Sequence, residues 1–364
     1  MTNKSTAFPD ITTTRAWVDI DLGALLRNGR ALANHARVPL LPMVKADGYG
    51  LGALAVMKTL DALDPHGWGV ATVAEGRELR AAGSVKPVIV FTPMLPAELS
   101  NVRAANLVPT LSSPASIAAW MQGGGGPWHL AIDTGVSRAG VRWDCIGTIA
   151  DAVRASPPEG AFTHFHSAEL DDGSMQIQEK RFREALAALP VRPALLHADN
   201  SAAIVRRSPS PWNLVRPGVF LYGVGSGRGA AIQPEPVVHL RARVVEIRSL
   251  NAGDSVGYDA TWRAARPSRV ATLALGYADG YRRSLGNKAE ALIHGHRVPV
   301  IGTVMMDMTI LDVTDIPCAV GDGATLFGAD GGDLLTIEAV AARAALSPYE
   351  LLTGLRQRIT RIAQ

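Results

Sequence analysis

LLPMVKADGYGLGALAVMKTLDALDPHGWGVAT, residues 40–72, is the stretch that decides the fold. It opens on a short apolar run (LLPMVKA, 40–46), breaks at glycines, continues as a helical stretch and ends in a second apolar run (GWGVAT, 67–72). Short apolar runs bounded by turn signals read as buried strands, and a helix between two of them makes the strands parallel. The same texture recurs at VIVFT (88–92), LVPTL (107–111), HLAID (129–133), AFTHF (161–165), ALLHA (194–198) and NLVRPG (213–218), eight runs in all. Ala74–Ala82, Ile146–Ala155 and Met175–Leu189 between them carry apolar residues at helical spacing. Eight strands alternating with helices predict an α/β fold, a (β/α)8 TIM barrel. A doubly wound open sheet is the alternative, disfavoured because no G-x-G-x-x-G opens a helix after these strands.

Beyond Gln233-Pro234-Glu235-Pro236 the pattern changes. His239–Leu250 is strand-like, and SVGYDATW, RVATLALGY, AEALIHG, RVPVIGTVMMDMTILDV and GDGATLFG follow, separated by Gly, Asp and Asn turns. These predict a mainly-β second domain, ending in a helical stretch from Thr336 to about Ile362 interrupted near Ser347-Pro348. The expected division is 1–236 for the barrel and 237–364 for the β-rich domain, with Trp17–Asp21 free to pair with the latter. Gly123–Gly126 reads as a loop between barrel units; no Lys-Ser/Thr follows it to make a phosphate loop.

The 364 residues are 47% hydrophobic and 19% charged, ample for a core, and the formal net charge of +3 is spread rather than gathered into a stripe. Nucleic acid is therefore not an expected partner. Cys145 and Cys318 lie far apart in no ligand spacing, which points to a reducing compartment and no metal site. The amino terminus lacks an apolar signal core and no run of 18 apolar residues occurs, so the expectation is cytoplasmic, with no membrane association.

Functional groups of such a barrel collect at the carboxyl ends of the strands. There the sequence places Lys45, Arg138, His164, Asn200, Ser201, Arg216, Gly218 and Val219. The set lacks a carboxylate cluster, which disfavours a divalent metal or a two-carboxylate glycosidase. One lysine beside an imidazole, two arginines and a small-residue loop suits a phosphorylated, carbonyl-bearing cofactor. The lysine forms a Schiff base, and Ser201 with backbone N–H groups around Gly218 and Val219 holds the phosphate. The residues alone leave a pyridoxal-phosphate (PLP) enzyme and a Schiff-base aldolase both open.

At PMVKADGYGLG (42–52) the chain resembles the alanine racemases, a PLP-dependent barrel-plus-β-domain family. IDTGVSRAG (132–140), THF (163–165), HADNSAA (197–203), LVRPGVFLYG (214–223), VGYDATW (256–262), GYADG (276–280), GTVMMD (302–307) and PYE (348–350) continue the likeness in the family's order. The resemblance implies a homodimer whose active sites are each completed by the partner's second domain. It implies Lys45 as the Schiff-base lysine, with Tyr49, Ser201, Gly218, Val219 and Tyr349 on the phosphate. His164 would stack on the pyridine ring, Arg216 would face its nitrogen, and Arg138 would act near the cofactor phenolate and the substrate carboxylate. Tyr258, Met306 and Asp307 of the partner subunit would complete the site, with Tyr277 at its entrance.

The activity implied is L-alanine to D-alanine interconversion, supplying D-alanine for peptidoglycan. Lys45 would handle the D-alanine proton and Tyr258 the L-alanine proton. A tyrosine is a weak base at neutral pH, so the resemblance sets Tyr258 against His164, itself linked to Arg216. Three positions depart from the family pattern. Ala131 stands where many members carry a carbamylated lysine, Asp259 where glycine is frequent, and Thr303 where arginine is common. The alternatives are a racemase for serine or a broader set of amino acids, a PLP-dependent decarboxylase, and a non-catalytic PLP carrier. A decarboxylase would set a carboxylate where Arg216 stands, and a carrier would resemble the barrel alone.

Overall fold

The computed structural model describes residues 13–227 and 229–364; the amino-terminal residues read for a signal segment lie outside them. The chain divides into two compact units. One takes the chain up to Ala24, Tyr222–Val224 and Glu235–Gln364; the other takes Leu25–Leu221 and Gly225–Pro234. Among the described residues no helix is long and apolar enough to cross a membrane.

The second of these units is the barrel. Strands Trp68–Val70, Val88–Val90, Val108–Leu111, His129–Asp133, Gly160–Phe162 and Leu195–His197 run parallel in that order, each hydrogen-bonded to the next. The first and eighth expected strands close the ring through isolated bridges alone, Leu40 to Val215, Met43 to Gly69 and Asn200 to Arg216. Prolines explain the thin closure: Pro39, Pro42 and Pro217 lack the N–H that a longer ladder needs. The seam still holds, with Leu41 N–H on Val215 O at 2.8 Å, Met43 N–H on Pro217 O at 2.8 Å and Gly69 N–H on Pro42 O at 2.9 Å. Leu41, Ile89, Val108 and Leu214 pack together as one buried cluster across four of the runs. The expected helices form as Val73–Ala81, Ala150–Ala155 and Ser174–Ala188, the first closed by a Thr72–Glu75 capping box.

The other unit is built on Val238–Leu250, a strand of 13 residues whose first half alternates buried and half-buried side chains. It pairs antiparallel with Ser268–Leu273, with Gly323–Asp330 and with Ala16–Ile20, inside a nine-stranded sheet. The segment Trp17–Asp21 thus enters the β-rich unit, Val18 opposite Leu240. The carboxyl terminus corrects one expectation. Helices Ile337–Arg343 and Pro348–Thr353 form, but Thr360–Ala363 is a strand parallel to Ala16–Ile20. The β-branched Ile359, Thr360 and Ile362 favour extended backbone once a sheet edge is available.

Candidate active site

Lys45 stands where the first barrel run ends, and the chain there does something expensive. Ala46, Asp47, Gly48 and Tyr49 all have positive φ, of 53°, 54°, 60° and 56°. Left-handed backbone costs an L-residue about 1–2 kcal/mol, so consecutive residues there must be held by their surroundings. Gly48 N–H reaches Val44 O at 2.9 Å and Gly50 N–H reaches Ala46 O at 2.8 Å. Glu75 accepts from Ala46 N–H at 2.9 Å, and Asp47 accepts from Ala53 N–H at 2.8 Å, capping the next helix.

Lys45, Arg138 and His164 line one cavity of about 280 Å³, together with Ala131, Phe91 and Phe162. Burial pushes the Lys45 amine below its ordinary value, Arg138 and Arg216 push it further, and Glu75 opposes them. His164 is pushed down to about 3 by burial and then by Arg216, Arg138 and Lys45, so its imidazole is neutral. Its backbone is fixed by Gln178, which donates to His164 O at 3.0 Å and accepts from His166 N–H at 3.0 Å. Arg138 brings its positive charge to the same cavity, where it acts on both Lys45 and His164.

Arg216 is buried at 4% exposure on the eighth run. It donates to Thr163 O at 2.7 Å, to Ala198 O at 3.1 Å, to His197 O, and to His197 Nδ1 at 2.9 Å. Its nearest approach to His164 is 3.5 Å, to Nδ1. Burial lowers its pKa to about 9, against the pull of Asp199, so it keeps its proton at neutrality. The guanidinium can only donate, which fixes the neighbouring tautomers. His197 Nδ1 must accept; His197 Nε2 then carries the proton and donates to His129 Nδ1 at 2.8 Å. His129 therefore carries its own proton on Nε2, 3.9 Å from Glu159. Phe162 stacks on His197 with ring centroids 5.2 Å apart, and the Arg216 guanidinium lies 5.3 Å from the Phe162 ring.

On the same unit Ser201 opens the helix Ser201–Arg206, and its Oγ accepts from Gly218 N–H at 2.9 Å. Asn200 caps that helix through Ala203 N–H at 3.1 Å, so its side-chain oxygen is engaged locally. Gly218 has no room for a side chain, since a Cβ there would lie 2.6 Å from the Tyr49 hydroxyl. Tyr49, Ser201 and Gly218 thus form one cluster, with the short 3-10 helix Val219–Tyr222 following.

The remaining residues fall in the β-rich unit. Tyr258 opens a short turn, Tyr258–Ala260, and is 68% exposed. Gly257 lies against Thr303 and Met305, and Thr261 Oγ1 meets Thr303 Oγ1 at 3.4 Å, so this turn adjoins the 302–308 loop. Tyr277 N–H bonds Met305 O and Ala278 N–H bonds Met306 O, each at 2.9 Å. That approach requires Gly276, where a Cβ would lie 2.3 Å from Met305 O. Tyr258, Tyr277, Met306 and Asp307 accordingly share one exposed loop cluster. Asp307 accepts from Arg358 at 2.6 Å, and Arg358 also grips buried Asp279 at 2.5 Å and 3.0 Å. Tyr349 lies on the Pro348–Thr353 helix, 46% exposed.

Sequence reasoning passed over His129, His197, Glu75 and Arg358. His197 opens HADNSAA and His129 opens HLAID, so both were in quoted strands. A histidine in an otherwise apolar buried strand was the available signal; only strand order shows that the two meet.

Residues 20–226 match the family model described as alanine racemase, N-terminal domain, and residues 237–363 match alanine racemase, C-terminal domain. An alanine racemase of Citrifermentans bemidjiense is 37% identical, covering 94% of this chain and 97% of the relative. The crystal structure of alanine racemase from E. faecalis superposes with a TM-score of 0.91 at 29% identity, covering 96% of this chain and 98% of that one. That of Bartonella henselae, which has covalently bound pyridoxal phosphate, gives 0.89 at 29% identity, covering 96% of this chain and 100% of that one. Barrel and β unit match in order and almost end to end, so the chain belongs to the alanine racemase family.

Proposed function

We propose that this chain interconverts L-alanine and D-alanine as a homodimer, with Lys45 carrying PLP and Tyr258 of the partner subunit as the opposite acid/base. The observation that carries this reading is the convergence of Lys45, Arg138 and His164 on one cavity, with Arg216 beside His164. The residues present fit the cofactor. Lys45 is an amine of depressed pKa in a partly buried setting, and the hydroxyls of Tyr49 and Ser201, gathered against Gly218, are donors of the kind a phosphate group takes. Tyr49, Ser201, Gly218, Val219 and Tyr349 would hold that group, with Asn200 supporting the Ser201 helix. PLP, when bound, makes the α-proton of an amino acid acidic by delocalising the electron pair left behind.

The protein must then move that proton between faces. A lowered pKa raises the neutral fraction of Lys45, which accepts and returns the proton on the D-alanine side. Tyr258 of the partner subunit does so on the L-alanine side. The guanidinium of Arg138, in the cavity lining, offers a two-pronged donor for the substrate carboxylate. Neutral His164 supplies a flat ring on which a pyridine can lie without adding charge. Arg216 only donates, so set against the pyridine nitrogen it limits electron withdrawal and favours return of the proton over side transamination. Met306 and Asp307 of the partner subunit would close the small pocket, with Tyr277 at the entrance.

A broader amino-acid racemase is the second reading, favoured by Ala131, whose small side chain lines the cavity where many members carry a long one. The enzyme is placed in the cytoplasm, a reading supported by two free, widely separated thiols. The test is α-proton exchange and chirality change in D2O with PLP, offering L-alanine, L-serine and L-lysine separately to wild type and Tyr258→Phe. Fast conversion of alanine above the others, with strong loss in the variant, is expected. Equal turnover of all three favours the broader racemase, and no exchange with any refutes both.

A further inference from the structure

The left-handed turn that follows Lys45 is held from outside by a carboxylate on a different barrel unit. Glu75 sits in the first turn of the helix Val73–Ala81. One of its oxygens takes Ala46 N–H at 2.9 Å; the other takes Ala71 N–H at 2.7 Å and Thr72 N–H at 3.1 Å. A capping glutamate needs only the Thr72 bond. The reach to Ala46 crosses from the second barrel unit to the first and lands on the residue after the lysine. We infer that Glu75 is a positioning residue for Lys45: it locks the turn that aims the amine and sets a negative charge against the cations around it. This rests on the reading of Lys45 as the cofactor lysine.

Two observations support the assignment. Ala46, Asp47 and Tyr49 sit in backbone that relaxes unless something holds it, and Ala46 is exposed, so packing does not hold it. The charged groups acting on Lys45 are Arg138 and Arg216, which lower its pKa, and Glu75, which raises it; His164 beside it is neutral. Without Glu75 the amine keeps only its cationic neighbours, and Ala46 loses the acceptor of its N–H while keeping the Gly50 bond to its carbonyl.

The test compares the full-length wild type with Glu75→Gln and Thr72→Ala. The second variant breaks the same capping box but leaves the Ala46 contact. PLP affinity is measured by absorbance titration, and the Lys45 adduct is trapped with borohydride and located by peptide mass spectrometry. The pH dependence of Lys45 modification by trinitrobenzenesulfonate is followed on the PLP-free chain. Glu75→Gln is expected to bind PLP about tenfold more weakly, the equivalent of one hydrogen bond to a charged group. Its Lys45 modification midpoint is expected at lower pH. Thr72→Ala is expected to lower the melting temperature and leave both readouts at wild-type values. If Glu75→Gln is too unstable, Glu75→Asp keeps the charge and loses the reach, so the midpoint should stay while PLP affinity falls. Glu75→Gln matching Thr72→Ala in both readouts overturns the inference. Absence of a Lys45 adduct in the wild type overturns the assignment of Lys45 itself.

Discussion

Acid should unfold the barrel through its two most buried histidines, and replacing one of them should remove a countable proton. His197 is fully buried, and burial followed by Arg216, His129 and His66 holds it well below its ordinary value. His129 is pushed down to about 3 by burial, then His66 and Arg216. The tautomer chain gives the reason: a proton on His197 Nδ1 would face a guanidinium N–H 2.9 Å away. Glu159, 3.9 Å from His129, is the one carboxylate facing the pair among the described residues. In the unfolded chain both rings titrate near 6.5. A folded pKa below the unfolded one gives stability that is present above pH 6.5 and lost as pH falls, because the unfolded state then binds more protons. Between pH 7.5 and 5.5 each histidine accounts for about 1.4 kcal/mol, so the pair accounts for about 3 kcal/mol. His197→Gln deletes one titrating ring. It should cost about 1–3 kcal/mol at neutral pH, because Arg216 loses a matched acceptor, and its loss of stability over the same pH range should be smaller by about 1.4 kcal/mol. Urea unfolding across this range, followed by the fully buried Trp68, Trp120 and Trp128, measures both. A variant with a neutral-pH cost and an unchanged pH slope would refute the tautomer chain.

Arg216→Glu should raise pyruvate release from alanine relative to racemisation, and it should also destabilise the barrel by several kcal/mol, since the carbonyls of Thr163, His197 and Ala198 lose their donor. Unchanged pyruvate counts against the placement of Arg216. Arg358→Met should strand the buried Asp279 carboxylate and free Asp307, lowering stability by about 2 kcal/mol and raising KM for alanine, with partial recovery in Arg358→Lys; a KM unchanged in both variants would separate Asp307 from the substrate pocket. Asp259→Gly should stabilise the β unit by about 0.5–1 kcal/mol, because Asp259 holds a φ of 62° that glycine adopts without strain; thermal unfolding reads it directly.

How far the sequence led depended on whether a feature is local. Trp68–Val70 or Leu195–His197 is legible because a few consecutive apolar residues between turns suffice to mark it. The first and eighth strands were legible as apolar runs, yet they form bridges instead of ladders, and the prolines that cause this were in plain view. The last strand, Thr360–Ala363, was hidden for a different reason. Its partner is Ala16–Ile20, more than three hundred residues away, and nothing in RITRIAQ says that an edge awaits it. Lys45, Arg138 and His164 could be named because strand ends in a barrel share a rim, and the fold does bring them to one cavity.

What the sequence could not yield is how each named group is held. Arg216 was singled out for its position, but its rigidity comes from three carbonyls and a histidine whose ring ends on a second histidine from another strand. A periodic pattern records that a side chain points inward and not what it meets there. The same gap separates Lys45 from Glu75. Bonds close to the lysine, such as Gly48 N–H on Val44 O, hold part of the left-handed run from Ala46 to Tyr49, and the carboxylate on Ala46 N–H comes from 29 positions along the chain. A barrel makes this usual: each strand end is flanked by loops from neighbouring units, so the group that does the chemistry and the groups that aim it come from different stretches. Motifs mark the first kind well, because the chemistry narrows the choice of residue. The second kind is found only by asking where each costly backbone conformation and each buried donor gets its partner.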